Sequence, residues 1–540
     1  MRPSSETMSR EAKRMSKKLT LGSWLAAWVV TASSALAVTA GSPDLLRPER
    51  FGAKANGIHD DTWAIQKCID RIGARPANAT GYKGTVWLEG TYYVTRQIQV
   101  VDETTAPHEL TIGPHWRVFH VTSGITIAGG GTVTLLENGA SSRKNPASHT
   151  YVFWVTSDPR HVAPVSAPPV RNVAIQNIQI INDPASLHPT SSENAAILVA
   201  GGADITIDHV RMDYWHRAIK LMGCIRSRIT RCRVEDARYI GIGVYGSGEP
   251  VADSDRNEIS ANELVGNTQL SGGIYVSGDG TLIRDNTLEF THGICTEAYS
   301  GGRIENNRIA RSPYGIRVGY VTGSGARSVV VRNNSLLRCA GGIMVGHGFD
   351  VSVSDNRIAE LVKWGGDFMI ETPNGYWGFG RTRAGINVED SQNVRVTGNH
   401  ISGLNSGAPV GIRVSSLQGA ADTSAPQDPD WNTGNVITDN RVEATSGWRI
   451  GYYLENQRAY TFENNMATGD ESNRIIACRG QPGMNQLEGQ VRVVDRPTAQ
   501  CQSLNLYWHP MSRTGMPQGG FKLTLDRAQE QQYFPPLSRE

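Results

Sequence analysis

Charge of one sign is what this sequence most lacks. Lys plus Arg number 53 and Asp plus Glu 51, a formal net charge of +2. The strong basic excess of a nucleic-acid footprint is therefore absent. Aromatic residues are sparse at 7%, and charged residues make up 19% against 39% hydrophobic, a globular rather than a disordered balance. Seven cysteines in 540 residues form no Cys-x-x-Cys pair and no Cys/His cluster of zinc spacing. A disulfide framework and a structural zinc site are both excluded. Cys478 and Cys501, in the irregular C-terminal region, are the candidates for a single bridge in an oxidising compartment. Long apolar runs are missing too: the stretch Leu19 to Val30 falls short of the ~20 residues that span a bilayer.

That stretch follows a basic segment (Arg10, Lys13, Arg14, Lys17, Lys18) and precedes Ala35-Leu36-Ala37. Basic, apolar and small-residue regions in this order read as a secretory signal peptide over residues 1–37. Its removal leaves 47 basic against 49 acidic residues. The expected mature protein is exported to the periplasm or secreted, nearly neutral and without a membrane span.

Glycine is abundant: 58 residues, above the usual ~7% and without a collagen period. Many tight turns and many short strands follow. The pattern apolar-x-x-Asn-x-apolar recurs at Asn262, Asn286, Asn307, Asn334, Asn356, Asn399, Asn440 and Asn465, with close copies 21 to 25 residues apart. Ile175-Gln-Asn-Ile belongs to the same series, and His209 and Cys232 are placed in the same slot. Between these copies runs Gly-Ile-x-Val, at Gly241, Gly273, Gly315, Gly342, Gly385 and Gly411, with a variant at Gly293. A unit of ~22 residues with three short strands cannot bury its apolar face alone, whereas stacked units form a continuous column. The expected fold is all-β: a right-handed, single-stranded parallel β-helix of roughly eleven coils. Asn at the bend is expected to take the left-handed conformation and to build a buried hydrogen-bonded ladder.

Residues 51–70, FGAKANGIHDDTWAIQKCID, and GTVWLEGTYYV from Gly84 resemble the N-terminal signature of the pectate-lyase-like superfamily of right-handed β-helices. That superfamily holds polygalacturonase-related hydrolases, polysaccharide lyases and tailspike-like depolymerases. With the repeats, the resemblance covers nearly all of the mature chain. It implies an N-terminal cap over 38–100, with Asp60 or Asp61 capping a helix and Ile65 and Ile69 packing it over the open end. A solenoid over 101–470 and a C-terminal cap or tail over 471–540 follow. The groove loops are 246–257, 361–383 and 415–434.

In such a fold, saccharide commonly lies along one exterior sheet, here the Gly-Ile-x-Val strands. Period-2 alternation turns Lys220, Tyr245, Tyr275, Cys295, Glu297, Arg317, Met344, Asn387, Glu389 and Arg413 outward. Tyrosine faces suit sugar rings and charged forks suit acidic groups. If Ser277 aligns with Glu297, Asp279 lies roughly 8 Å from Glu297 between Cα atoms, within the ~6.5–9.5 Å spacing of inverting glycosidases. Asp279 and Glu297 are thus the expected acid and base, and Tyr245, Tyr275, Arg317, His347 and Glu389 the expected sugar contacts. Trp364 and Trp377, in the aromatic insertion 361–383, form either a glycan-stacking lid or a flap onto the solenoid wall. Asp367 and Glu371 there are reserve carboxylates. Gly346-His347-Gly348 matches a polygalacturonase motif without its Asp-Asp and Arg-x-Lys companions, and Asp253 with Asp255 reads as a solvated loop rather than a calcium site.

The expectation is an exported enzyme that cleaves a polysaccharide, of bacterial exopolysaccharide or plant cell-wall type, as an inverting glycoside hydrolase. It needs no cofactor or metal. One rival is a polysaccharide lyase acting on a uronic-acid polymer with Lys220, Tyr275 or Arg317 as base, to which a calcium ion would belong. The other is a non-catalytic glycan-binding or surface-structural β-helix. The partner is polysaccharide, and the chain is a monomer or a homotrimer.

Overall fold

A computed structural model describes residues 44–95, 98–100, 115–135, 149–157, 168–182, 194–246, 254–266, 272–297, 299–319, 325–362, 369–372, 375–378, 384–404, 410–415, 433–444, 450–455, 460–468, 474–480 and 508–510. The chain divides into residues 1–43 and a unit Asp44–Glu540, and all described residues belong to the second. The signal segment and Cys501 lie outside them.

Short strands follow one another three to a coil. One coil runs Ile274–Ser277, Leu282–Arg284 and Thr287–Glu289, then returns at Ile294–Glu297. Ile274 pairs with Ile294 and Ser277 with Glu297, both in parallel. Among the described residues, repetition of this step builds three sheets of 14, 14 and 15 strands, here called sheets 1, 2 and 3, with Ile274–Ser277 in sheet 3. The fold is a right-handed parallel β-helix, with more coils than the repeat count suggested. Sheet 3 continues past residue 470 through Arg474–Gly480 and Trp508–Pro510.

Alternation along sheet 3 sends Ile242, Val244, Ile274, Val276, Ile294, Ile316 and Val318 into the solenoid, each at most 1% exposed. Complete burial of one such side chain is worth about 1.5–3 kcal/mol. The recurring glycine ahead of each Ile has a packing cause. A Cβ at Gly273 would lie 1.9 Å from the Gly293 carbonyl oxygen, and one at Gly342 1.9 Å from that of Gly385. Successive coils touch backbone to backbone there.

The asparagine column is a continuous ladder. Asn286 N–H donates to Asn307 Oδ1, Asn307 N–H to Asn334 Oδ1, and Asn334 N–H to Asn356 Oδ1, at 3.0–3.1 Å. Each Nδ2 reaches back to the main chain, as from Asn307 to Ile283 O and from Asn334 to Ile304 O. Two details differ from expectation. The left-handed residue is the one before the ladder asparagine: Asp285, Asn306, Asn333 and Asp355 have φ of 55–57°. The ladder residue itself must aim its amide inward, so the turn is made one position earlier. For the same reason Asn177 and His209, at φ 52°, stand in the turn slot. The ladder slot beside them is held by the buried Ile178 and Val210, while Cys232 does occupy it and donates its N–H to Asn262 Oδ1.

At the N-terminal end, helix α1 spans Thr62–Gly73 and buries Ile65, Cys68, Ile69 and Ile72 in the core. The Asp60 carboxylate accepts the Thr62 N–H at the helix start. Asp61 turns away and accepts the N–H groups of Lys54 and Ala55. The Asp-Asp pair is engaged in local structure.

Candidate functional site

Sheet 3 carries the chemistry-bearing side chains on its outer face. Its register places Lys220 beside Gly243, Gly243 beside Tyr275, Tyr275 beside Cys295, Cys295 beside Arg317 and Arg317 beside Met344. The column then continues to Asn387 and Arg413. Instead of a solvated face, much of this row is shielded: Lys220 is 1% exposed, Arg317 4% and Asn387 0%.

Gly243 leaves a gap in the column, and Tyr245 fills it. A Cβ at 243 would sit 2.5 Å from a Tyr245 ring carbon, so the ring lies back over the glycine. From there it meets Tyr275 at 5.1 Å between centroids and carries the Lys220 ammonium 5.2 Å from its own centroid. The Arg217 guanidinium lies 4.9 Å from the Tyr239 centroid and 5.3 Å from that of Tyr245, and donates to the Tyr245 hydroxyl at 2.7 Å. Such cation–ring contacts gain strength where water is excluded. The Tyr275 hydroxyl then donates to Glu297 Oε2 at 2.6 Å. Cations, two tyrosines and one carboxylate form an unbroken run across four coils.

Burial, followed by the Glu297 charge and the hydrogen bond to Glu297, holds the Tyr275 phenol well above its ordinary value. Burial likewise pushes the Cys295 thiol up to about 12, against the lowering effect of Arg317. His292, edge-on to Tyr314, is pushed down to about 4 by burial. These groups stay neutral near pH 7.

Asp279 lies two residues beyond Ser277, the strand partner of Glu297, on the neighbouring coil as expected. It belongs to the turn, however. Its backbone bridges Asp255, and its Oδ1 accepts the Ser300 N–H at 3.2 Å. His347, at φ 48°, turns the chain off strand Ile343–Gly346, and its N–H donates to Glu389 O. Gly346-His347-Gly348 serves as a turn, with the Gly348 N–H bound by Ser391 Oγ. Glu389, 1% exposed, accepts a 2.8 Å hydrogen bond from Asn387 Nδ2. Trp364, Asp367 and Asp253 fall outside the described residues. Glu371 and Trp377 lie on an antiparallel hairpin, Met369–Thr372 with Gly375–Gly378. Asp255 pairs with Arg256 at 2.7 Å.

Sequence reasoning missed Arg217, Tyr239, His292 and Tyr314. A signal existed: His292 and Tyr314 stand immediately before the Gly of a Gly-Ile copy, and Tyr239 before Ile240-Gly241.

Residues 251–418 match the family described as right handed beta helix region, and residues 155–319 match the periplasmic copper-binding protein (NosD) family. The described residues of that span do not fit a copper site. The Cys224 and Cys232 thiols donate to backbone carbonyls, burial raises both to about 12, and no group of three or more His, Cys, Asp or Glu among the described residues is arranged to hold a metal ion. A probable polygalacturonase of Arabidopsis thaliana is 26% identical over 175 residues, 30% of this chain and 38% of that protein's length. A tailspike protein of the E. coli bacteriophage HK620, solved with a pentasaccharide, is 11% identical, covers 86% of this chain and 78% of its own, and has a TM-score of 0.52. A mannuronan C-5 epimerase A-module of Azotobacter vinelandii is 13% identical over 80% of this chain and 95% of its own, with a TM-score of 0.43. Among the described residues no helix is long and apolar enough to cross a membrane. The stacked parallel coils and the asparagine ladder make the fold a right-handed parallel β-helix, and the family match over residues 251–418 agrees with it.

Proposed function

We propose that this is an exported carbohydrate-active enzyme that binds a polysaccharide across the outer face of sheet 3 and hydrolyses it with inversion. The observation that carries this reading is the Tyr275–Glu297 hydrogen bond at the end of a cation–tyrosine run. A donor to Oε2 favours the ionised carboxylate, which suits Glu297 to take a proton from the attacking water. Asp279, on the adjacent coil, delivers a proton to the leaving glycosidic oxygen. Its Oδ1 is held by Ser300, so Oδ2 is the atom assigned to carry it. Tyr245 offers a flat apolar face to a sugar ring. The polygalacturonase and tailspike likenesses support a polysaccharide as substrate.

Burial and the Glu297 charge disfavour the Tyr275 phenolate, which makes this tyrosine a donor and a poor base for β-elimination. That weakens Tyr275 as a lyase base and leaves Lys220 and Arg317 as the bases of that rival reading. The test is incubation of the mature chain with a panel of polysaccharides, followed by sizing, ultraviolet scanning and determination of anomeric configuration. New reducing ends of inverted configuration are expected. Unsaturated products absorbing in the ultraviolet would establish the lyase, and binding without any change in polymer size would establish the binding protein.

A further inference from the structure

Sheet 2, which holds Thr287–Glu289, repeats an ion pair along its outer face. In Arg211-Met212-Asp213, Arg233-Val234-Glu235 and Arg441-Val442-Glu443 the middle residue is buried in the core. The outer two lie on one side of the strand, and each arginine Nε is 2.5–3.1 Å from the carboxylate two residues on.

Twice the pattern is broken in the same way. Arg308-Ile309-Ala310 and Arg357-Ile358-Ala359 keep the exposed arginine and the buried isoleucine, with alanine where the carboxylate would stand. The two strands flank Ser335–Leu337. Arg308 pairs with Ser335 and Ser335 with Arg357, while Ala310 pairs with Leu337 and Leu337 with Ala359. Two strand steps of about 4.8 Å put the arginines roughly 10 Å apart at Cα. Neither guanidinium makes an ion pair with any described residue. Glu289 and Glu360, on the same coils, are engaged by Arg311 and Arg338. Asp355 stands on the turn toward sheet 1, at φ 57°, so four arginines meet three carboxylates and the face keeps a positive excess. Between Arg308 and Arg357 the surface is low: Ser335 is exposed, and Leu337, 42% exposed, lies between the two alanines. An exposed ion pair adds little to stability. Replacing its carboxylate with alanine therefore costs the fold little and changes what the face can bind.

We propose that this stretch of sheet 2 is a binding surface for an acidic polysaccharide. Its carboxylates pair with Arg308 and Arg357, and the sugars between them lie over Ser335 and Leu337. The inference goes beyond the sheet 3 reading and rests on it only for polysaccharide being the ligand. Each guanidinium can take a sugar carboxylate through two parallel N–H donors. The two strand steps between the arginines leave room for a carboxylate at each end of a short, extended run of sugar residues. A neutral polymer gains nothing from the missing carboxylates. A surface that holds an acidic chain on one sheet while another sheet carries the reaction keeps the enzyme on its polymer.

The test is binding of the full chain to immobilised polygalacturonate and to dextran, at low and at high salt, with melting curves for each variant. Wild-type binding to polygalacturonate is expected to exceed that to dextran and to fall with salt. Ala310→Glu combined with Ala359→Glu, which restores the pairs of the sister strands, should weaken it by at least about tenfold, a change of 1.4 kcal/mol, at unchanged melting temperature. Arg308→Gln combined with Arg357→Gln should do the same, and Arg211→Gln, in an intact pair, should leave it unaltered. Undiminished binding in both double variants, or equal binding to dextran, overturns the inference. So does a change in sedimentation of the double variants, which would make the face a contact between copies of this chain. Cleavage in the polysaccharide panel without this binding overturns the sheet 2 surface and leaves the hydrolase reading, and binding without cleavage does the reverse.

Discussion

The asparagine column and the outer face of sheet 3 are built by the same stacking of coils, yet they behave oppositely. In the column each position repeats one residue and one set of bonds: Asn307, Asn334 and Asn356 each receive an N–H from the previous coil and give an amide proton to the main chain. On the sheet face no two neighbouring positions agree. Lys220, Gly243, Tyr275, Cys295, Arg317, Met344 and Asn387 follow one another. Repetition satisfies polar groups that the solenoid must bury. A departure from repetition across seven coils marks a face free to specialise.

The comparison breaks most sharply at Glu297. Glu297→Gln is expected to lower turnover by about 10²–10⁴-fold with little change in melting temperature, and Asp279→Asn to do likewise. A variant at either position with full activity in the polysaccharide assay would remove that residue from the reaction.

The next effect is one of pH. His292 is pushed down from 6.5 to about 4 by burial, so the unfolded chain binds a proton more readily than the folded one between those values. The stability this His contributes is complete above about pH 6.5 and is lost as the pH falls toward 4, by up to roughly 3 kcal/mol. Melting curves of His292→Phe over that range should lose this slope. A slope equal to the wild type's would assign the acid sensitivity elsewhere.

On the ladder the expectation reverses. Asn334→Leu leaves the Asn307 N–H and the Ile304 carbonyl without their partners and should cost about 1–3 kcal/mol in denaturant melts, with specific activity of the folded fraction retained. Loss of activity at full stability would erase the contrast between the two regions. The smallest effect belongs to the exposed ion pairs on the other sheets. Arg338–Glu360, with both side chains more than half exposed, should change stability by no more than about 1 kcal/mol in Arg338→Ala.

Much of the fold was legible in the chain because its signals are local and repeated. Gly-Ile-x-Val and apolar-x-x-Asn fixed strand phase, so the inward Ile274 and Val276 and the outward Tyr275 could be assigned before any contact was known. The ladder was legible up to one residue. Sequence could not say whether Asn306 or Asn307 makes the turn, since both are asparagine, and His209 stands one position before the ladder slot that Val210 fills. The site was legible as a row of residue types. The resemblance carried by residues 51–70 added the superfamily, and left the reaction open.

What the sequence determined by itself is the repeat, and with it the stacking, because a short coil has no other way to bury its Ile and Val. Only the tertiary structure decided what the outer face became. Tyr245 lies over Gly243, Tyr275 reaches Glu297 across a strand boundary, and Asn387 holds Glu389 beside Gly346. These contacts join residues up to 43 positions apart, as Gly346 and Glu389 are. Their register is set by the lengths of the turns and insertions between coils, and those lengths follow no period that a repeat could announce.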